Sequence, residues 1–403
     1  MRERMSQGNR SWAGIWGAVF VMSWGGNQFS PLLVMYEDRA HYTAVDVNIF
    51  LGVYVLGLAP ALLVASSLSD RHGRKNVMFF GLLAGILGSA LLAFGGLGPA
   101  PLAIGRLFAG FAVGSAVAVG GSWIKELSQP PFDLSASVTS GARRSSLAFT
   151  LGSGGGALVA GLLAQWAPLP EILPFIVHIV IAVPFLVIIA RSPETQVSGG
   201  LAGPWWRQLT VPSAGHRRFT RIVAVAAPWC FISVSLSYGY LPTQLRGVTG
   251  QWGLVFATAA TVVALGLSSI IQPLGRRVHS VTSARALWLS ILVMALGIAG
   301  VAVAVMAQSV VIGLIANAVV GIGMGTALIS CLLEVQQIAG ARDLAGLTGV
   351  FYAVAYAGFL APAVIAALTG LVASVTLLWI VVGLGVASAA WVFAQSRRHI
   401  DAR

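Results

Sequence analysis

The sequence predicts an all-α membrane protein whose chain crosses the bilayer twelve times, six times on each side of a long central linker. Three observations predict it. Hydrophobic residues make up 57 % of the 403 residues and charged residues only 9 %, against about 25 % charged in soluble domains. The apolar residues gather into twelve runs of about 20 or more, the length a helix needs to cross the hydrocarbon. The Lys and Arg residues then fall at alternate ends of those runs, as in proteins that obey the positive-inside rule.

The first run, at about 12–36, follows a basic stretch with Arg2, Arg4 and Arg10. It is too long for the core of a signal peptide and shows no small-residue cleavage site, so it is a span. Spans two and three, at about 47–69 and 77–96, enclose Arg71, Arg74 and Lys75. Spans four and five, at about 100–124 and 145–166, enclose Lys125, Arg143 and Arg144. Span six, at about 172–190, runs into Arg191 and a linker rich in Gly and Pro that ends in His216, Arg217 and Arg218. Spans seven and eight, at about 219–243 and 252–273, precede Arg276, Arg277 and Arg285. Spans nine to twelve fall at about 286–306, 309–333, 344–369 and 371–395, with Arg342 between ten and eleven and Arg397, Arg398 and Arg403 at the end.

With the N-terminus inside, 21 Lys and Arg residues lie on the cytoplasmic side. Only Arg39 and Arg246 lie outside, and Arg106 lies within a span. Omitting one helix would invert every later loop and destroy this alternation. The predicted location is therefore the plasma membrane, multi-pass, with both termini cytoplasmic. The net charge of +12 reads as contact with anionic headgroups. No continuous basic face suggests nucleic acid. Cys230 and Cys331 lie in apolar runs without metal-ligand spacing, and read as packing residues. Pro31, Pro60, Pro184, Pro228 and Pro362 fall inside spans, where proline bends helices.

The most specific motif lies between spans two and three, Ser66-Ser-Leu-Ser-Asp70-Arg71-His-Gly73-Arg74-Lys75. It resembles the signature loop of the major facilitator superfamily, G-x-L-a-D-R-x-G-R-K. Leu68, Asp70, Arg71, Gly73, Arg74 and Lys75 match, while Ser66 replaces the leading glycine. Gly73 suits a tight turn. The resemblance implies that Asp70 faces the N-terminus of span eleven, near Asp343–Leu347, and latches the two halves on the cytoplasmic side. Gly275-Arg276-Arg277, at the corresponding place in the second half, resembles the tail of the same signature.

Span four carries Arg106-Leu-Phe-Ala-Gly110, similar to the family's R-x-x-q-G. A charge inside the membrane is costly and points to function. The resemblance implies proton coupling or anchoring for Arg106. Glu37 and Asp38 sit at the same level of the membrane and are candidates to pair with it and exchange protons. Span five carries Gly152, Gly156 and Gly161, similar to the G-x-x-x-G-P-x-x-G-G pattern of exporters in this superfamily, with Ala157 at the proline. Small residues at this spacing let helices, and by implication the two halves, approach closely.

Polar and aromatic residues within spans mark a candidate substrate cavity: Trp24, Asn27, Gln28, Trp229, Tyr238, Asn317, Tyr352 and Tyr356. His178 in span six reads as a hydrogen-bonded packing residue. No catalytic constellation, metal spacing or cofactor motif is present, so the chain is expected to be neither an enzyme nor a cofactor protein.

The resemblance implies two pseudo-symmetric six-helix bundles, 1–190 and 219–403, around a central cavity and joined by a cytoplasmic linker at 191–218. It implies a monomer whose partners are a small molecule, protons and lipid. The function expected is export of small amphipathic compounds or drugs in exchange for protons by alternating access. The alternatives are a proton-coupled uptake symporter or facilitator for a sugar, organic anion or other metabolite, and a membrane sensor or enzyme on a transporter fold.

Overall fold

The computed structural model describes residues 11–39, 42–137, 140–196, 211–280, 283–339 and 344–396, and every element among them is helical. Among the described residues, eleven helices are long and apolar enough to cross a membrane. The first span makes the twelfth, but it is not one helix. Here α1 runs Ser11–Asn27, turns once in a 3-10 segment at Ser30–Leu32, and resumes over Leu33–Arg39. The cause is Pro31, which has no N–H to offer the carbonyl of Asn27.

The remaining spans are α2 (Val45–His72), α3 (Arg74–Ala93), α4 (Pro99–Leu127), α5 (Ser140–Trp166), α6 (Leu173–Arg191), α7 (Phe219–Gln244), α8 (Arg246–Ile270), α9 (Arg285–Ala307), α10 (Val310–Ile338), α11 (Gly346–Leu368) and α12 (Ser374–Ser396). Proline does not always interrupt these helices. Pro60 and Pro184 sit inside uninterrupted helix. Pro362 follows a 3-10 turn at Ala357–Leu360 in α11. A π-helical segment at Ser235–Tyr240 widens α7. Its Ser237 carbonyl would be paired five residues on, at Pro242, which cannot donate. Asn317 of α10 takes that carbonyl instead, its Nδ2 donating at 3.2 Å.

The chain divides into two compact units. One is Met1–Phe29 with Leu56–Thr210, and the other is Ser30–Val55 with Val211–Arg403. The second half of α1 and the first part of α2 thus belong with the C-terminal helices. In the first unit, α5 lies along α1 because Gly152 and Gly156 present no side chain. A Cβ at Gly156 would stand 2.6 Å from the Trp24 carbonyl oxygen, and one at Gly152 would meet the Phe20 carbonyl. The expectation that these glycines bring the two halves together is corrected: Gly152 and Gly156 seat one helix on another within one unit, and Gly161 is buried on the same helix.

Candidate functional site

The loop between α2 and α3 is held by backbone geometry first. Gly73 has φ +89° and ψ 157°, a region essentially reserved for glycine. Its N–H donates to the Ser69 carbonyl at 3.0 Å and closes α2. The first N–H groups of α3 lack helical partners, and Glu194 supplies them. Its carboxylate accepts from the backbone N–H of Arg74 and of Lys75, each at 3.0 Å.

Arg74 is the centre of this loop. Its Nη1 donates to Asp70 Oδ1 at 2.8 Å and to Ser69 Oγ at 3.0 Å, and its Nη2 to Glu126 Oε1 at 3.0 Å. The Thr195 hydroxyl donates to the same Glu126 carboxylate, and Gln196 Nε2 donates to the Asp70 carbonyl at 3.4 Å. Asp70, Gly73, Arg74 and Lys75 therefore act as one cluster, together with two carboxylates the motif does not contain. Arg71 lies beside them at the end of α2. Glu126 and Glu194 are 52 and 120 residues from Arg74, so no local pattern announced them. The stretch Asp343–Leu347, expected to face Asp70, begins outside the described residues.

On the same predicted cytoplasmic side, Arg144 donates to Asp133 Oδ2 at 2.8 Å and to Ser128 Oγ at 3.0 Å, with its guanidinium 3.8 Å from the centroid of the Trp12 ring. The Arg144 hydrogen bond holds the Asp133 carboxyl below its ordinary range against the opposing effect of burial, helped by the Ser135 hydroxyl and N–H.

Arg106 lies in α4 and is only 1 % exposed. It does not reach outward. Its Nη1 donates to the Gly26 carbonyl at 3.0 Å and its guanidinium lies 4.8 Å from the centroid of the Phe29 ring. Because α1 stops at Asn27, the carbonyls of its last turn are open to a partner from another helix. Next to this, Gln28 Nε2 donates to Ser89 Oγ at 2.9 Å. Ser89 Oγ is 2.8 Å from His178 Nδ1, and His178 Nε2 is 2.9 Å from the Val21 carbonyl. The carbonyl can only accept, so Nε2 carries the proton and Ser89 donates to Nδ1. His178 is thus a packing residue tying spans one, three and six.

The pairing expected between Arg106 and Glu37 or Asp38 is corrected. Both carboxylates are taken by Arg246, the first residue of α8. Arg246 Nη2 pairs with Glu37, and its Nε lies 3.0 Å from Asp38 Oδ1. The Glu37 side chain is 7 % exposed, that of Asp38 44 %. Glu37 stands just beyond the first span, and its pKa is raised to about 7 by burial, with Arg246 lowering it and Asp38 raising it. One of its oxygens, Oε1, has no hydrogen-bond partner among the described residues.

The cavity candidates separate. Asn317, Gln28, Tyr238, Tyr356, Trp229 and Trp24 are buried, whereas Asn27 and Tyr352 are partly exposed. Asn27 donates to the Ser23 carbonyl at 3.4 Å. Tyr356 stacks on Phe231 with ring centroids 3.9 Å apart, and Tyr54, Phe359 and Tyr352 close around it at 5.8–6.3 Å. A further ion pair has no signal in the local sequence: Arg218 and Glu334 are joined by two hydrogen bonds of 2.5 and 2.8 Å. Their side chains are 4 % and 0 % exposed. Arg276 and Arg277 were the basic residues expected to echo the signature in the second half, yet Arg218, from before α7, is the one that holds Glu334.

The comparisons agree with this architecture. Among solved structures, the POT family transporter PepTSo superposes with a TM-score of 0.75 at 14 % identity, over 96 % of this chain and 98 % of that one. A D-xylose–proton symporter superposes with a TM-score of 0.67 at 16 % identity, over 95 % and 96 %. A bacillibactin exporter of Bacillus subtilis (strain 168) is 35 % identical over 74 residues, and the match spans 18 % of each chain. The sequence profile of the Major Facilitator Superfamily matches residues 15–362. The chain belongs to the Major Facilitator Superfamily of membrane transporters.

Proposed function

We propose that this protein exports small amphipathic compounds in exchange for protons by alternating access, with Glu37 as the residue that takes up and releases the proton. The observation that carries the reading is the setting of Glu37. A coupling residue must be ionised in one state and neutral in another. Burial disfavours the Glu37 carboxylate and Arg246 favours it, so the two oppose each other near neutral pH. When Glu37 is protonated, Arg246 keeps only the exposed Asp38, and the tie between the end of α1 and the start of α8 loosens. The local likeness to a bacillibactin exporter supports the outward direction.

The test uses purified protein in liposomes loaded with a pH-sensitive dye. Imposed gradients of candidate compounds should drive proton movement opposite to the compound. The Glu37→Gln, Asp38→Asn double variant should bind the compound yet lose the coupled proton flux. Retention of a pH-gradient dependence in that variant would exclude Glu37. Proton movement in the same direction as the compound would replace export with uptake.

A further inference from the structure

The two units balance their cations differently at the end predicted to be cytoplasmic. Among the described residues of the first unit, seven Lys and Arg at this end stand with four carboxylates, Asp70, Glu126, Asp133 and Glu194. Three of these carboxylates pair with Arg74 or Arg144. The same end of the second unit has six arginines and one carboxylate, Glu334, among its described residues. Glu334 is fully buried and taken by Arg218. Arg217, Arg221, Arg276, Arg277 and Arg285 are exposed, and no carboxylate among the described residues pairs with them.

The fold gathers these five. Arg217 precedes α7 and Arg221 lies in its first turn. Between them, Arg218 binds Glu334 near the end of α10, and His279 feels the charges of both. His279 Nε2 lies 2.9 Å from Gln337 Nε2, one turn beyond Glu334. His279 also closes the short helix Gln272–Val278 that carries Arg276 and Arg277. Arg285 Nε donates to the Val278 carbonyl at 2.9 Å. The start of α7, the end of α10 and the link from α8 to α9 thus form one basic rim.

Apolar side chains border the rim. Leu274 and Ile270, one and two turns before Arg277, are 48 % and 74 % exposed. Trp391 of α12 is half-exposed and donates its indole Nε1 to the Arg221 carbonyl at 3.1 Å, with exposed Phe393 two residues on. Tryptophan at the end of a membrane helix marks the headgroup level of the bilayer. Unbalanced like charges repel one another, so the rim favours an anion from its surroundings. Every exposed cation in it is arginine, whose planar fork takes two phosphate oxygens at once.

We infer that this rim binds anionic phospholipids, with their phosphates on the five arginines and their acyl chains along the apolar side chains beside them. A water-borne acidic protein would pair the arginines but leave Ile270, Leu274 and Phe393 uncovered. The inference is independent of cargo and of proton coupling.

The full-length protein is equilibrated in detergent micelles holding equal amounts of phosphatidylglycerol and phosphatidylcholine with matched acyl chains. It is then captured, and the retained lipids are quantified by mass spectrometry. Phosphatidylglycerol should exceed phosphatidylcholine at least about tenfold, since each arginine near a headgroup is worth about fivefold. Arg276→Gln with Arg277→Gln should cut the excess at least about fivefold, as should Arg217→Gln with Arg221→Gln. Arg143→Gln with Arg191→Gln, two exposed cations of the first unit, should leave it within about twofold. Equal retention of the two lipids overturns the inference. An equal loss in the first-unit variant reduces the effect to net charge and overturns the rim. Displacement of the lipid by inorganic phosphate at the same concentration would make this a free-anion site and overturn the lipid assignment. Binding of a polyglutamate peptide without enrichment of phosphatidylglycerol would transfer the surface to an acidic protein.

Discussion

At the scale of single residues, two positions make sharp predictions. Gly73 combines a backbone conformation that side chains avoid with a Glu194 carboxylate where a Cβ would point. Gly73→Ala should cost about 1–3 kcal/mol, read as a lower midpoint of thermal unfolding in detergent. Glu37 supplies the second. Its pKa in the folded chain lies above the ordinary value of 4.5, at about 7. The folded state therefore holds more protons than the unfolded one between those values, and the stability it confers falls as pH rises through that window. Midpoints of unfolding measured from pH 4.5 to 7.5 should show this decline, and Glu37→Gln should flatten it. An unchanged slope in the variant would assign the effect to another group.

At the scale of elements, the Arg218–Glu334 pair fixes the start of α7 to the end of α10. Two fully desolvated charges hold together only as a pair. Removing one partner leaves the other uncompensated, at a cost of about 3–5 kcal/mol. Glu334→Gln and Arg218→Met should each destabilise strongly. The double variant should recover most of the loss, measured as a double-mutant cycle of unfolding. Additive losses would mean that the two side chains act separately. The first span teaches the same lesson about elements. Its apolar length was legible from residues 12–36, but the break after Asn27 left the Gly26 carbonyl to receive Arg106.

At the scale of the whole molecule, the asymmetry of 21 against 2 basic residues sets an orientation that labelling can check. In a background with Cys230 and Cys331 replaced by Ser, a cysteine at Gly370 should react with a membrane-impermeant maleimide from outside intact cells. A cysteine at His279 should react only after the membrane is opened. The reverse pattern would invert the proposed topology and move Glu37 to the cytoplasmic side.

The sequence by itself determined the membrane class, the succession of spans, the signature loop and the family. These rest on local properties: the length of apolar runs, the side on which Lys and Arg fall, and a motif contained within one turn. Tertiary structure alone decided who partners whom. Glu126 and Glu194 join Arg74, and Arg246 rather than Arg106 takes Glu37 and Asp38. Gly152 and Gly156 serve α1 of their own unit. The physical reason is that a charge inside apolar surroundings must find a counter-charge or hydrogen-bond partner wherever the packed helices bring one. The rotation of each helix about its axis sets that meeting, across separations of up to 209 residues, and no local pattern encodes it.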